Sequence, residues 1–171
     1  NMIKSYFDEV QKDYQIFYQE EELPLGTGGG LSLLQGKIHS TFILTNCDIL
    51  IEDDLSLAIE QHKKCKNKIT VICSHKNFTI PYGVIEINED NSIAHMREKP
   101  SFSFLANTGC YIVEPEVIEK IPYKEHIDFP AVIQQYKEKG ERVGVYSIAE
   151  DDWLDMGQFD ELEKMKQKLG C

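Results

Sequence analysis

Asp48 and Asp155 are the residues whose type and setting could carry chemistry. Each closes an apolar stretch, Phe42 to Leu44 in one case and Trp153-Leu154 in the other, where an unpaired carboxylate would be costly. Two such carboxylates brought from separate strand ends could hold a divalent cation. Mg2+ in particular takes one or two carboxylates at about 2.0 to 2.1 Å and completes its shell with waters and substrate phosphates. The alternative stays open at this level: either aspartate could cap a helix or a turn, Asp155 the helix expected to start near Gly157.

Two further segments carry weaker signals. Gly26-Thr27-Gly28-Gly29-Gly30 removes Cβ atoms where backbone could approach a flat or anionic ligand, and it runs into a helix N-terminus. A plain glycine-rich turn explains it equally well. It matches neither a G-x-x-x-x-G-K-[ST] phosphate loop nor a strand-borne G-x-G-x-x-G, so ATPase and dinucleotide-dehydrogenase readings are poorly supported. Glu98-Lys99-Pro100 sets a carboxylate beside an ammonium at a strand end, suited to a ligand's hydroxyls and a phosphate, although such a tripeptide is more often a solvated strand end.

The elements that must position these residues follow from periodicity. Ile3, Tyr6, Phe7 and Val10 have helical spacing within residues 3–12, and Tyr14 to Tyr18 is predicted as a short strand. The chain thus opens inside a helix, from which an upstream part is expected to be missing. Thr41 to Thr45 is predicted as a buried strand that places Asp48 at its carboxyl end. Asp54 is an N-cap for a helix burying Leu55, Ala58, Ile59 and His62, and Ile69 to Cys73 is the next strand. Strand, helix and strand in that order make a crossover, so the sheet is at least partly parallel. Ligands of such sheets collect beyond the strand carboxyl ends.

Beyond Gly83 the pattern becomes a hairpin, Val84 to Ile87 and Ile93 to Arg97, joined by a polar turn at Asn88 to Asn91. Asn107 to Val113 is a strand, Pro115 and Pro130 open helices, and Val143 to Ile148 is the last clear strand. A terminal helix carries Phe159, Leu162 and Met165. The architecture is α/β with a mixed sheet.

The 171 residues, 42% hydrophobic and 27% charged, suffice for one compact domain without low-complexity segments. A net charge of −11 disfavours nucleic acid as a partner but permits small phosphorylated substrates, which need only local backbone amides, a few lysines or a metal. Five cysteines (Cys47, Cys65, Cys73, Cys110 and Cys171) without C-x-x-C pairing fit reduced thiols and a cytoplasmic protein. No apolar run reaches the roughly 18 residues of a membrane span, and no export signal stands at the start, so no membrane partner is expected.

Taken in order, Pro24-Leu25-Gly26-Thr27-Gly28-Gly29, Asn46-Cys47-Asp48, Tyr82-Gly83-Val84, Glu98-Lys99-Pro100, Asn107-Thr108-Gly109 and Trp153-Leu154-Asp155-Met156-Gly157 resemble the sugar-1-phosphate nucleotidyltransferases, among them the mannose-1-phosphate guanylyltransferases. The resemblance runs from about Glu20 to the end. It implies a Rossmann-like (GT-A-like) α/β fold: a mixed, mostly parallel sheet flanked by helices, with the β-hairpin serving the sugar. It implies Mg2+ on Asp48 and Asp155, the nucleotide base against Glu21, Gly26 and Thr27, and the sugar against Gly83, Glu98 and Asn107. Lys99 would meet the sugar phosphate, while Tyr82 and Gly109 would shape the pocket wall.

The substrates implied are a nucleoside triphosphate and a sugar 1-phosphate, and the Pro-Leu-Gly-Thr wording ranks GTP with a mannose-like or heptose sugar ahead of dTTP, UTP or CTP. A homo-oligomer is compatible with the sequence. Three departures stand out. The family's G-G-x-G-T-R triphosphate loop is absent, so residues 1–171 are expected to be one nucleotidyltransferase domain truncated at its start and inactive alone. The basic residue that many members place before the late helix has only Lys124 as its nearest counterpart, and Cys47 stands where relatives often carry glycine. Two rival readings are a non-catalytic, nucleotide-sugar-binding regulatory paralogue and a metal-dependent glycosyltransferase. The latter ranks last because Asp48-Ile49-Leu50 lacks the Asp-x-Asp pair.

Overall fold

The computed structural model describes residues 2–169. The first helix, α1, spans Met2–Glu9 and buries none of its residues. The segment Tyr14 to Tyr18, expected as a strand, is irregular: its β-prone residues find no partner ladder, and Phe17 stays 86% exposed. Helix α2 (Gly26–Gly29) runs straight into a 3-10 turn, Gly30–Leu34, so the glycines themselves are helical rather than a loop ahead of a helix.

Strand β1 (Phe42–Thr45) is followed by the short β2 (Ile49–Ile51), then by α3 (Leu55–Cys65) and the long β3 (Ile69–Thr79). Asp54 caps α3 as expected, its carboxylate accepting the Ser56 N–H at 2.9 Å, and Lys66 ends the helix in the left-handed conformation. Strands β4 (Val84–Ile87) and β5 (Ile93–Arg97) form the expected hairpin. The chain returns through β6 (Ser101–Val113), α4 (Pro115–Glu119), α5 (Phe129–Glu138), β7 (Val143–Ile148), a 3-10 turn, β8 (Trp153–Asp155) and α6 (Phe159–Leu169). Within α6, Met165 is buried as expected; the Phe159 side chain lies outside what is described.

The main sheet has the order β1-β6-β3-β7. Three of its strands, β1, β3 and β7, run the same way, which is the crossover read from the sequence. The expectation of a mostly parallel sheet is nevertheless corrected, because β6 runs against its neighbours and inserts between β1 and β3. Among the described residues only β3 and β7 form a parallel pair; β1/β6 and β3/β6 are antiparallel. The cause is the hairpin excursion: β3 and β6 are the two legs of one long antiparallel arm, paired from Ile69↔Val113 out to Thr79↔Ser101.

Apolar residues fill both faces of the sheet. On one, Val71, Tyr111 and Val113 pack with Val117, Phe129 and Val132 of α4 and α5, the Tyr111 and Phe129 rings lying 4.6 Å apart. On the other, Ile72, Cys110, Ile112 and Ile148 pack with Ala58 of α3 and with Trp153. β1 departs from its expected burial: it sits at the sheet edge with β6 on one side only, and Ile43 remains 41% exposed. Cys73 and Cys110 are buried free thiols, which burial pushes above the usual thiol range; Cys47 is exposed, and Cys171 lies outside the described residues. No described helix is long and apolar enough to cross a membrane.

Candidate functional site

Strands β2 and β8 make a three-rung antiparallel ladder that pairs Ile49 with Asp155 and Ile51 with Trp153. It extends one step further, the Met156 N–H donating to the Asp48 carbonyl at 2.9 Å. Two carboxylates more than a hundred residues apart in sequence are thereby set on neighbouring rungs. Both line a cleft of about 300 Å³, together with Thr27, Asn46, Asn107 and Gly109.

The two aspartates are held differently. Asp48 caps no helix, since Asp54 does that for α3, and its exposed carboxylate has no hydrogen-bond partner among the described residues. Asp155 is half-buried, and one of its oxygens, Oδ1, accepts the Gly157 N–H at 2.8 Å, a local turn ahead of α6 rather than a helix cap. Its backbone N–H donates to Glu161 at 2.8 Å, and Glu161 pairs with Lys76 at 3.0 Å. Burial pushes the Glu161 carboxyl up, but the Asp155 N–H and the Lys76 ammonium outweigh it and hold the group below the usual carboxylate range. Lys76 also stands 4.9 Å over the Trp153 ring, so β3, β8 and α6 are tied together behind Asp155.

These donors fit a hard divalent cation. Asp48 and the remaining Asp155 oxygen are uncommitted carboxylate oxygens on one cleft, and no described cluster of three or more His, Cys, Asp or Glu could enclose an ion. An ion held by two carboxylates keeps its other positions for waters and phosphate oxygens, which is the habit of Mg2+.

The opposite wall comes from an irregularity in β6. Cys110 pairs with Ile72 and Asn107 with the next residue, Cys73, so Thr108 and Gly109 have no partners on β3 and bulge from the ladder. The Thr108 hydroxyl pins the bulge to the Ile72 carbonyl at 2.8 Å. Asn107 braces it: its carbonyl oxygen accepts the Gly109 N–H at 3.1 Å and its amide donates to the Tyr111 hydroxyl at 2.9 Å. Gly109 has φ +84°, and a Cβ there would lie 2.6 Å from the Asn46 amide nitrogen.

The glycine-rich segment serves the fold in a way the sequence did not foretell. Gly28 and Gly29 donate their N–H groups to the Ile127 carbonyl at 2.9 Å, and the Thr27 N–H donates to Asp128 at 3.1 Å. A Cβ on Gly29 would lie 2.2 Å from the Glu125 carbonyl oxygen. The close approach that these glycines permit is therefore to residues 125–129, the lead into α5. Thr27 nonetheless lines the cleft, its hydroxyl accepting the Phe129 N–H at 3.0 Å. Glu21 folds back on the same segment, accepting the Leu25 N–H at 3.0 Å and lying against Gly30.

Of the residues expected at the site, Thr27, Asp48, Asn107, Gly109 and Asp155 meet on one cleft. Gly83 and Glu98 meet each other on the hairpin, where a Gly83 Cβ would come 3.1 Å from the Glu98 carboxylate; Tyr82 and Lys99 flank them, exposed, and Lys99 takes φ 43° before Pro100. These four do not line the Asp48–Asp155 cleft, nor do Glu21 and Gly26. Lys124 lies on a second cleft with Tyr123 and Leu25, its ammonium 3.6 Å from Glu22. Missed at the level of sequence were Glu161 and Lys76 behind Asp155 and Asp128 beneath Thr27, whose charges look like ordinary surface residues until the contacts are seen. Asn46 carried a signal, its place in the motif with Asp48.

A family model described as nucleotidyl transferase matches residues 1–170. The mannose-1-phosphate guanylyltransferase of Mycobacterium tuberculosis is 29% identical over 152 residues, 84% of this chain and 41% of the relative. The UTP–glucose-1-phosphate uridylyltransferase of Synechocystis is 31% identical, over 91% of this chain and 45% of the relative. The chain therefore spans under half the length of these curated relatives. Among solved structures, HddC from Yersinia pseudotuberculosis superposes with a TM-score of 0.72 at 22% identity, covering 98% of this chain and 73% of that one, a likeness of fold. The same protein has been crystallised with GMP-PN.

Proposed function

This chain belongs to the nucleotidyl transferase family, as its resemblance to the sugar-1-phosphate nucleotidyltransferases led one to expect, and from that premise we propose that it carries the metal and sugar part of such an enzyme's site. The reaction would join a nucleoside triphosphate to a sugar 1-phosphate. A phosphate oxygen of the sugar 1-phosphate attacks the α-phosphorus, the bond from that phosphorus to the β-phosphate oxygen breaks, and pyrophosphate leaves with the electron pair. No protein nucleophile is required; catalysis rests on alignment and on charge neutralisation at the reacting phosphates.

The observation that carries this reading is the placement of Asp48 and Asp155 on adjacent rungs of one ladder, both lining one cleft. These two carboxylates would hold Mg2+, which when bound supplies Lewis acidity to the phosphate oxygens. Glu161 fixes the backbone from which Asp155 projects. Asn107 and Gly109 shape the sugar side of the cleft, and Gly83, Glu98 and Lys99 on the hairpin would close over sugar and phosphate from beyond it. Glu21, Gly26 and Thr27 would face the base. GTP with a mannose-like or heptose sugar is the preferred substrate pair, supported by the Pro24 to Thr27 wording and by guanylyltransferases among the relatives.

The test is pyrophosphate release from GTP and mannose 1-phosphate with Mg2+ by a longer version of the protein that carries the G-G-x-G-T-R triphosphate loop upstream of this chain. Turnover that needs Mg2+ and is nearly abolished by Asp48→Asn is the expected result. Turnover unchanged in that variant would remove the metal assignment.

A further inference from the structure

Asn107 was the amide expected to meet the sugar, yet each end of its side chain already has a partner: the carbonyl oxygen takes the Gly109 N–H and the amide donates to Tyr111. The cleft holds a second asparagine in the opposite condition. Asn46 follows the last residue of β1, with its backbone N–H fixed to the Gly109 carbonyl at 3.0 Å. Its side chain lines the same cleft and makes no hydrogen bond to any described residue. It is nonetheless held in place: the amide lies over Gly109 where a Cβ would come 2.6 Å from the nitrogen, on a residue whose φ of +84° itself favours glycine.

We propose, resting on the reading above, that Asn46 is a sugar-contacting residue of the cleft: its amide hydrogen-bonds a hydroxyl of the sugar whose phosphate the Asp48–Asp155 pair engages, and Gly109 is the bare surface that lets it do so. The chemistry suits. A primary amide presents an acceptor and a donor side by side, which matches hydroxyls that donate and accept together. The position suits as well. Asn46 precedes Asp48 by two residues, a span of at most about 7 Å along the chain. That is the reach from a metal-held phosphate across its ester to the hydroxyls on the neighbouring ring carbons. Asn107 becomes the brace that shapes the bulge, and the free amide across from it makes the contact.

The experiment compares each nucleotide sugar with its sugar-free nucleotide, GDP-mannose with GDP and UDP-glucose with UDP, by calorimetric titration in Mg2+. Asn46→Ala should weaken the nucleotide sugar that the wild type binds by about 10-fold, the worth of one neutral hydrogen bond, and leave the matching nucleoside diphosphate unchanged. Gly109→Ala, which displaces the amide without removing it, should give the same sugar-selective loss. Circular dichroism and melting of Asn46→Ala should match the wild type, because the side chain is exposed. Equal affinity of wild type and Asn46→Ala for the nucleotide sugar overturns the proposal, and so does an equal loss for nucleotide sugar and nucleotide. If the wild type binds neither nucleotide sugar, the functional reading itself falls and this one with it.

Discussion

Asp48 and Asp155 occupy adjacent rungs of one two-stranded ladder, Ile49 standing opposite Asp155 and the Asp48 carbonyl accepting the Met156 N–H at 2.9 Å. Their proximity is fixed by backbone hydrogen bonds rather than by side-chain packing, so either carboxylate can be altered without moving the other. Asp155→Asn keeps an oxygen for the Gly157 N–H and should fold normally, whereas Asp155→Ala loses that bond and should cost about 1 kcal/mol. Both, and Asp48→Asn, should weaken Mg2+ binding by more than about 100-fold, since lesser, outer-shell changes at metal sites already cost 10- to 100-fold. Magnesium titration alongside urea unfolding separates the two effects. Wild-type Mg2+ affinity in Asp48→Asn would remove that residue from the site.

Acid should loosen Asp155 from behind. The Glu161 carboxyl sits below its ordinary value of 4.5, so the folded chain binds that proton less readily than the unfolded chain does. Its contribution is therefore fully present above about pH 4.5 and is lost as the pH falls through the folded value. Glu161→Gln should melt below the wild type at neutral pH, and the gap should close on acidification below pH 4.5. A gap that stays constant from pH 7 to pH 3 would show that the Lys76 pair and the Asp155 contact add nothing through charge.

The sequence announced the elements better than their neighbours. Val143 to Ile148 and the hairpin strands appear where periodicity placed them, because short β-branched runs bounded by turn residues carry their own signal. The pairing of β6 between β1 and β3 is a long-range choice, and no local pattern encodes which edge a returning strand will take. For the same reason Tyr14 to Tyr18, strand-like in composition, forms no strand. Asp48 and Asp155 stood out as candidates because each carboxylate follows an apolar run, but only the ordered set of motifs joined them, and the structure brings both to one cleft. The partners of the glycines were hidden, since a glycine that admits a ligand and one that admits the protein's own backbone look alike until Ile127 and Asp128 are seen against them.

Gly29 of the glycine-rich segment and Gly36 beyond it are sharply unequal, which makes the packing role measurable. A methyl on Gly29 would meet the Glu125 carbonyl oxygen at 2.2 Å, a backbone atom that cannot turn aside, while Gly36 at φ +69° has nothing within 4 Å. Gly29→Ala should cost about 3 kcal/mol or fail to fold, as overpacking against fixed atoms does. Gly36→Ala should cost only about 1 kcal/mol, the local penalty of a left-handed alanine. Urea midpoints rank the pair, and equal losses would contradict the tight docking of α2 on the lead into α5.

His62 is the buried polar group on which the other end of the sheet depends. It is fully inaccessible, with Nδ1 2.8 Å from the Thr70 hydroxyl and Nε2 3.0 Å from the Glu114 carboxylate. The Glu114 carboxylate only accepts, so Nε2–H donates to it; in the neutral ring Nδ1 then accepts the Thr70 hydroxyl proton, while Asn67 donates to the Thr70 oxygen at 2.8 Å. Thr41 also donates to that carboxylate at 2.7 Å, so one ring ties α3 to β3, to the lead into α4 and to the residue before β1. Removing the ring leaves Thr70 short of a partner and opens a cavity. His62→Ala should therefore cost about 2 to 4 kcal/mol. His62→Gln, which can keep one of the two contacts, should cost less. The residue lies away from the Asp48–Asp155 cleft, so at temperatures where both variants remain folded their Mg2+ affinity should equal that of the wild type. A loss of Mg2+ binding without a loss of stability would place His62 in the functional site instead of the scaffold.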